Sequence, residues 1–214
     1  MPQTDEKNKK DDAKKSEEGL QSVLLKTRSI MLTGEINKEM TDRICKQLLY
    51  LNHESATEPV KMYIDSPGGD ADAGYAIFDM IRFIEAPVYT IGLGLVASAG
   101  ALVLIAPPKE QRLSMPNSHY MIHQPLSGIR GVASTIEIHA REVEKLRDRI
   151  NHDIAEATGK KAKEVANDTD RDYWLSGEEA VEYGLVSRVV SNIAELRTLS
   201  GTDSQNDEKT GKKK

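Results

Sequence analysis

A single hydroxyl, that of Ser98, stands in the apolar stretch LGLVASAG (93–100), between Ala97 and Ala99, with Gly94 and Gly100 close by. Neighbours this small leave a serine side chain within reach of a ligand. The residue also sits where a strand-like pattern gives way to the helical-looking AGALVLIA. At such a junction the free N–H groups and the positive end of the helix dipole favour a negative charge. A serine nucleophile creates that charge when it attacks a carbonyl, and the N–H of Ala99 is placed to hydrogen-bond it. Local context by itself favours a serine that only caps the helix or packs. The flanking residues lack the alternate glycines of the nucleophile-elbow pattern.

Two further stretches carry comparable ambiguity. In SPGGD (66–70) two glycines after a proline let the backbone turn sharply and aim N–H groups into a cleft, as half of an oxyanion hole requires, but ordinary turns use the same residues. The stretch is too short, and lacks the lysine, for a phosphate-binding P-loop. Of the five histidines, His53 reads as loop, and His139 and His152 fall on a charged helical stretch, all three solvated. His119 and His123 are four apart in HYMIH, hence on one strand face, and His123 ends an apolar segment just before Pro125. There it is a general base or a satisfied core histidine. DTDRD offers Asp168, Asp170 and Asp172 as the acid, with solvated turn residues as the alternative. No His, Cys and carboxylate spacing resembles a metal site.

These residues need elements to hold them. SIMLTG, VKMYID and VYTIG read as strands, alternating with helices over 37–51 (Met40, Ile44, Leu48, Leu51 in one stripe) and 71–84 (Ile77, Ile81, Ile84). RLSM and HYMIH add two short strands. A helix of roughly 27 residues from Val132 to Thr158 carries Ile136, Val143, Ile150 and Ile154 near one face; its length suggests that part of it projects towards a partner. A polar turn NDTDRD, a helix opened by a Ser176–Glu179 capping box and a strand SRVV complete the pattern. Strand alternating with helix predicts an α/β fold with a parallel sheet, whose sites lie at the carboxyl ends of the strands. Ser66, Ser98 and His123 all mark such ends.

The chain has 214 residues, enough for one domain with a sizeable core, and with 29% charged and only 5% aromatic residues that core must be aliphatic. A net charge of −5 makes no case for nucleic acid or an anionic membrane. Cys45 is the only cysteine, which excludes an internal disulfide framework and suits a reducing compartment. Residues 1–19 and 199–214 are dense in charge and predicted to be disordered tails around a domain over 20–198. No stretch reaches transmembrane length and the N-terminus lacks a secretion-type apolar region, so a cytoplasmic location is expected.

Taken in order, YIDSPGGD, VASAG, MPNSHYMIHQPLSG, IEIHAREVEKLRDRIN and NDTDRDYWLSGEEAVEYGLV closely resemble the ClpP family, the proteolytic subunit of ATP-dependent Clp proteases, over about residues 22–190. The resemblance implies a serine endopeptidase with Ser98 as nucleophile, His123 as general base and Asp172 as the orienting acid. It also implies Gly69 and Ala99 as backbone oxyanion donors. The implied fold is the ClpP/crotonase-like α/β spiral of ββα units with a protruding handle over about 124–158. Two stacked seven-membered rings would enclose the sites. Unfolded polypeptides would be fed in by an AAA+ unfoldase of the ClpX or ClpA type, which uses the ATP; the chain itself needs no cofactor.

Several positions depart from the family. GLVASAG replaces the usual GQAASMG, and a charged tail replaces the segment before the first strand that lines the axial pore. At the outer docking cleft Tyr63 and Phe83 keep the family's aromatic character, while Lys61 and Leu113 stand where tyrosine and phenylalanine are common. Thr135 stands where an acid commonly pairs with the arginine matching Arg171. These departures point to a divergent paralogue that needs a second ClpP-type subunit. Competing readings are a non-catalytic or activation-dependent subunit of a mixed ring and a crotonase-type acyl-CoA enzyme, the latter having no need of Ser98, His123 and Asp172 together.

Overall fold

Alternating burial builds the central strands and amphipathic helices cover one face of them. The computed structural model describes residues 19–197, and the predicted tails lie outside that range except for Gly19, which is already helical. In chain order the elements are α1 (19–26), β1 (Ser29–Thr33), α2 (Lys38–Glu54), β2 (Val60–Ser66), α3 (Ala71–Phe83), β3 (Val88–Ala97) and α4 (Ala99–Leu104). There follow β4 (Arg112–Ser114), β5 (His119–Ile122), α5 (Ala133–Thr158), α6 (Ala162–Asp168), β6 (Tyr173–Ser176), α7 (Gly177–Tyr183), β7 (Arg188–Val189) and α8 (Ala194–Arg197). None of the described helices is long and apolar enough to cross a membrane.

Caps set the helix starts. The Asn37 side chain accepts from the Met40 N–H and Asp70 from the Ala73 N–H, while Ser176 and Glu179 form the predicted capping box. The buried faces of α2 (Met40, Ile44, Leu48, Leu51) and α3 (Tyr75, Ile77, Phe78, Ile81) join Val60, Met62 and Ile64 of β2 in the main core. His53 lies in the last turn of α2, not in a loop, and is exposed.

The sheet runs β1-β2-β3-β4-β7, all parallel, as predicted; β5 also pairs parallel with β3, and β6 pairs antiparallel with β5. Four elements were not anticipated: α1 and α8 at the two ends, α6 and β6. The short α6 buries only Val165, too little for a helical stripe, and β6 is four residues beside a polar turn. Strand β3 is also longer than VYTIG suggests, running on to Ala97. Its glycines hid this: a Cβ on Gly92 would lie 2.1 Å from the Tyr120 hydroxyl, and Gly94 has φ +63°.

Helix α5 matches the predicted long helix, with Gly159 in the left-handed conformation as its C-cap. Only Asn151, Ile154 and Ala155 within it are buried, and the part from 133 to 149 contains no buried residue. Its C-terminal part still touches the body, for Leu146 packs against the main core and the Arg149 guanidinium lies 3.6 Å from the centre of the Tyr75 ring.

Arg28, itself at φ +54°, closes the far end of α2. Its guanidinium donates to the carbonyls of Leu51 (3.0 Å), Ser55 (3.0 Å), Glu58 (2.8 Å) and Pro59 (3.3 Å). Burial lowers the Arg28 pKa from its ordinary value, against the pull of Glu58 and Glu54. Replacing Arg28 by Ala strips these carbonyls of their donors and should cost about 1–3 kcal/mol, lowering Tm by several degrees in a thermal melt. An unchanged Tm would show that water replaces the guanidinium without loss.

Candidate active site

Ser98 follows directly on β3, His123 follows β5 and Asp172 precedes β6, so three strand ends carry the three side chains. The register aligns them: Ala97 is opposite Met121, and Ile122 is opposite Tyr173. His123 Nε2 lies 2.8 Å from Ser98 Oγ, and His123 Nδ1 lies 3.1 Å from Asp172 Oδ1. The imidazole is 11% exposed and the Asp172 carboxylate 61%.

The capping alternative for Ser98 does not hold, because its side chain makes no cap hydrogen bond. Ser98 adopts φ +54°, ψ −121°, a strained conformation for a residue with a Cβ. The strain resembles that of a nucleophile elbow although the flanking glycine pattern is absent. The Ser98 N–H donates to the Met121 carbonyl at 2.9 Å, which ties the strained residue to β5.

Geometry also separates the three candidate acids. Asp168 accepts a 2.8 Å bond from the Tyr183 hydroxyl, and burial together with that bond raises the Tyr183 phenol above its ordinary range, so it remains a donor. The backbone carbonyl of Asp170 accepts from Gln124 Nε2 at 2.8 Å. Of the three, Asp172 is the one that reaches His123. His119 and His123 do not share a strand face as predicted, because β5 stops at Ile122; His119 is exposed, opposite Leu95 and Ser176.

Sequence reasoning missed the residues that hold the acid turn. The Gln124 N–H donates to the Thr169 carbonyl at 2.7 Å, next to His123. Thr169, fully buried, has its hydroxyl 2.7 Å from Asn151 Oδ1 and 2.9 Å from the Val165 carbonyl. Asn151 is a buried amide on the otherwise charged α5. A polar residue in the apolar stripe with Ile150 and Ile154 was the available signal.

The glycines of SPGGD form the opposite wall. Gly68 has φ +95°, and a Cβ on it would lie 2.6 Å from the Ser98 Cβ; the loop reaches the serine only because that atom is missing. Ile36 bridges to Gly69 through the N–H of Asp70 and the carbonyl of Gly68, which leaves the Gly69 N–H outside the pair. Ala99 is the first residue of α4, so its N–H has no intrahelical acceptor. Gly69, Ser98, Ala99 and His123 line one cleft of about 810 Å³, together with Leu102 and Leu126.

Of the docking candidates, Phe83 is 78% exposed, Tyr63 is half-buried and Leu113 is 0% exposed, in one buried cluster with Ile91, Val190 and Leu196. Leu113 therefore offers no surface in this state. His152, Asp153 and Glu156 on α5 bring their ligand atoms within 4.8 Å of one another, a grouping the spacing argument passed over; none of them lines the Ser98 cleft.

The family model of the Clp proteases matches residues 12–193. The ATP-dependent Clp protease proteolytic subunit 2 of Treponema denticola is 61% identical over 192 residues, covering 90% of this chain and 94% of that protein. Subunit 3 of Rhizobium etli is 50% identical over 173 residues, covering 81% and 89%. Among solved structures, a mutant of ClpP1 from Listeria monocytogenes superposes with a TM-score of 0.77 at 45% identity, covering 83% of this chain and 99% of that one. A matching family model over most of the chain, relatives of nearly full mutual coverage and a shared α/β fold place this chain in the Clp protease family.

Proposed function

We propose that the chain is a serine endopeptidase, the proteolytic subunit of a Clp-type protease, with Ser98, His123 and Asp172 as its catalytic triad. The observation that carries this reading is His123, hydrogen-bonded through one ring nitrogen to Ser98 and through the other to Asp172. Nε2 accepts the Ser98 proton as Oγ attacks a peptide carbonyl; the resulting imidazolium then returns the proton to the leaving amine. Asp172 holds the proton on Nδ1. Its exposure screens its charge, so orientation is its main contribution. The N–H groups of Gly69 and Ala99 receive the tetrahedral oxyanion, each worth on the order of two to three powers of ten in rate. Water repeats the cycle on the acyl-enzyme. An acyl-CoA hydratase or isomerase would leave the His123–Asp172 pair without a role.

Relatives named as subunits of ATP-dependent Clp proteases support a ring assembly that works with an ATPase partner. On this reading residues 20–198 form the peptidase domain, with a handle over about 124–158 and charged tails on either side. Two heptameric rings stack, and a ClpX- or ClpA-type unfoldase supplies unfolded chains and spends the ATP, no cofactor being required here. Tyr63 and Phe83 contribute to its docking surface, above Leu113. Thr135 and GLVASAG support a second ClpP-type subunit in the ring. The single Cys45 suits the cytoplasm as the location.

In the assembled protease, with its companion subunit where one is needed, Ser98→Ala should lose both fluorophosphonate labelling and cleavage of a fluorogenic peptide; labelling or cleavage that survives at the wild-type rate sinks the triad. Asp172→Asn should keep the fold and lower kcat by on the order of 10³ or more. Gly68→Ala drives a Cβ into Ser98 and should cost about 100-fold in kcat. Gly128→Ala, with nothing within 4 Å of the added carbon, should cost nothing. Equal activity of the two glycine variants would refute the close-approach argument.

A further inference from the structure

Arg112 is 5% exposed, and a charge buried that deeply is ordinarily paired. Arg28 spends Nε and both terminal nitrogens on carbonyls. Arg112 does less: Nε donates to the Pro107 carbonyl at 2.7 Å and Nη1 to the Ala157 carbonyl at 2.9 Å, and among the described residues Nη2 meets neither a carbonyl nor a carboxylate. Burial pushes the Arg112 pKa down to about 10; Glu110 pulls it up and Arg82 adds to the fall.

The side chain lines a cavity of about 480 Å³, within the range of about 300–1,000 Å³ usual for small ligands. The cavity lies between the second half of α3, the segment after α4 and the last turns of α5, and it shares no residue with the Ser98 cleft. Phe78, Ile81 and Ile105 give it apolar walls, and the Arg82 guanidinium lies 5.2 Å from the centre of the Phe78 ring. The acids come mainly from α5. Asp153 and Glu156 bring their carboxylate oxygens within 4.8 Å of each other and of the His152 ring, and the Tyr75 hydroxyl holds Asp153 through Oδ2 at 2.6 Å. Glu85, exposed, is the remaining acid of the lining. The acid that acts on Arg112 is Glu110, outside the lining, so the arginines and the α5 carboxylates stand apart.

A simple anion would find Arg112 but face three carboxylates, and a simple cation would face two arginines. A molecule with both charges, set apart by an apolar body, satisfies every part of the lining. We propose that this cavity binds a short zwitterionic peptide with apolar side chains. Its carboxylate takes the free Nη2 of Arg112 beside Arg82, its ammonium lies between Asp153 and Glu156, and its side chains rest on Phe78, Ile81 and Ile105. A single amino acid holds its two charges too close together to reach both ends. Short peptides of this kind are what a peptidase acting on unfolded chains releases; that source, though not the site, rests on the function proposed above.

The test is calorimetric titration of leucyl-leucine into the full-length, assembled protein, which should show one saturable site per chain. N-acetyl-leucyl-leucine lacks the ammonium and leucyl-leucinamide the carboxylate, and each should bind at least about tenfold more weakly. Leucine and glycylglycine should also lose affinity. Arg112→Leu should weaken leucyl-leucine at least about tenfold, with a thermal melt to check the fold. Arg82→Gln and Glu156→Gln, at exposed positions that leave the Arg112 bonds to Pro107 and Ala157 in place, should each cost about fivefold and decide the matter if Arg112→Leu does not fold. No binding, equal binding of the end-blocked peptides, or an affinity unchanged in both exposed variants overturns the proposal; the last result would put the dipeptide elsewhere, as in the Ser98 cleft. Cleavage of a fluorogenic peptide by the same preparation separates the two readings. Binding with this pattern but no cleavage upholds the site and removes the peptidase as its source, whereas cleavage without binding removes the site alone.

Discussion

Strand β3 changes neighbours along its length: Thr90, Ile91 and Gly92 pair with β4, whereas Leu95, Val96 and Ala97 pair with β5. Between the two runs lies Gly94 at φ +63°, with Asp65 Oδ1 accepting from the Leu95 N–H at 3.1 Å. A strand that kept one partner throughout would end against β4 and leave β5 elsewhere. The switch carries the end of β3 to the end of β5, and β6, antiparallel to β5, brings its start to the same level. Ser98, His123 and Asp172 are neighbours because three strand ends coincide.

Local interactions then hold what the sheet brings together. A serine in the left-handed region costs on the order of 1–3 kcal/mol and persists only where its surroundings over-determine it. Here the Met121 carbonyl holds its N–H, α4 behind it is buried from Ala99 to Leu104, and Gly68 presses against its Cβ from the front. The acid side of the site is built differently. Asp172 is exposed, but the turn that carries it is anchored from within by Thr169 and Asn151, and Gln124 clasps it beside His123. Solvent reaches the carboxylate without loosening the turn.

Much of the fold was legible in the chain. Met40, Ile44, Leu48 and Leu51 recur at helical spacing, and all four are buried. Caps such as Asn37 and Ser176 announce helix starts, and the length of α5 foretold its exposed half. What escaped notice was weakly periodic or short. Glycines at 92 and 94 masked the second half of β3, β6 has four residues, and α6 buries one side chain, so none leaves a pattern strong enough to read without its partners.

For the site, the sequence by itself determined the residue types and, through YIDSPGGD, VASAG, MIHQP and DTDRD in order, the family and its candidate groups. Local chemistry favoured a capping or packing role for Ser98 over a nucleophile and left the three aspartates equivalent. Tertiary structure decided both, since residues 98, 123 and 172 meet only through the pairing of β3, β5 and β6, a long-range event no window of sequence contains. Leu113, whose place in the family pattern suggested a docking surface, is buried for the same kind of reason: β4 pairs with β3 and β7, and Leu113 joins Ile91, Val190 and Leu196 in one cluster assembled from distant parts of the chain.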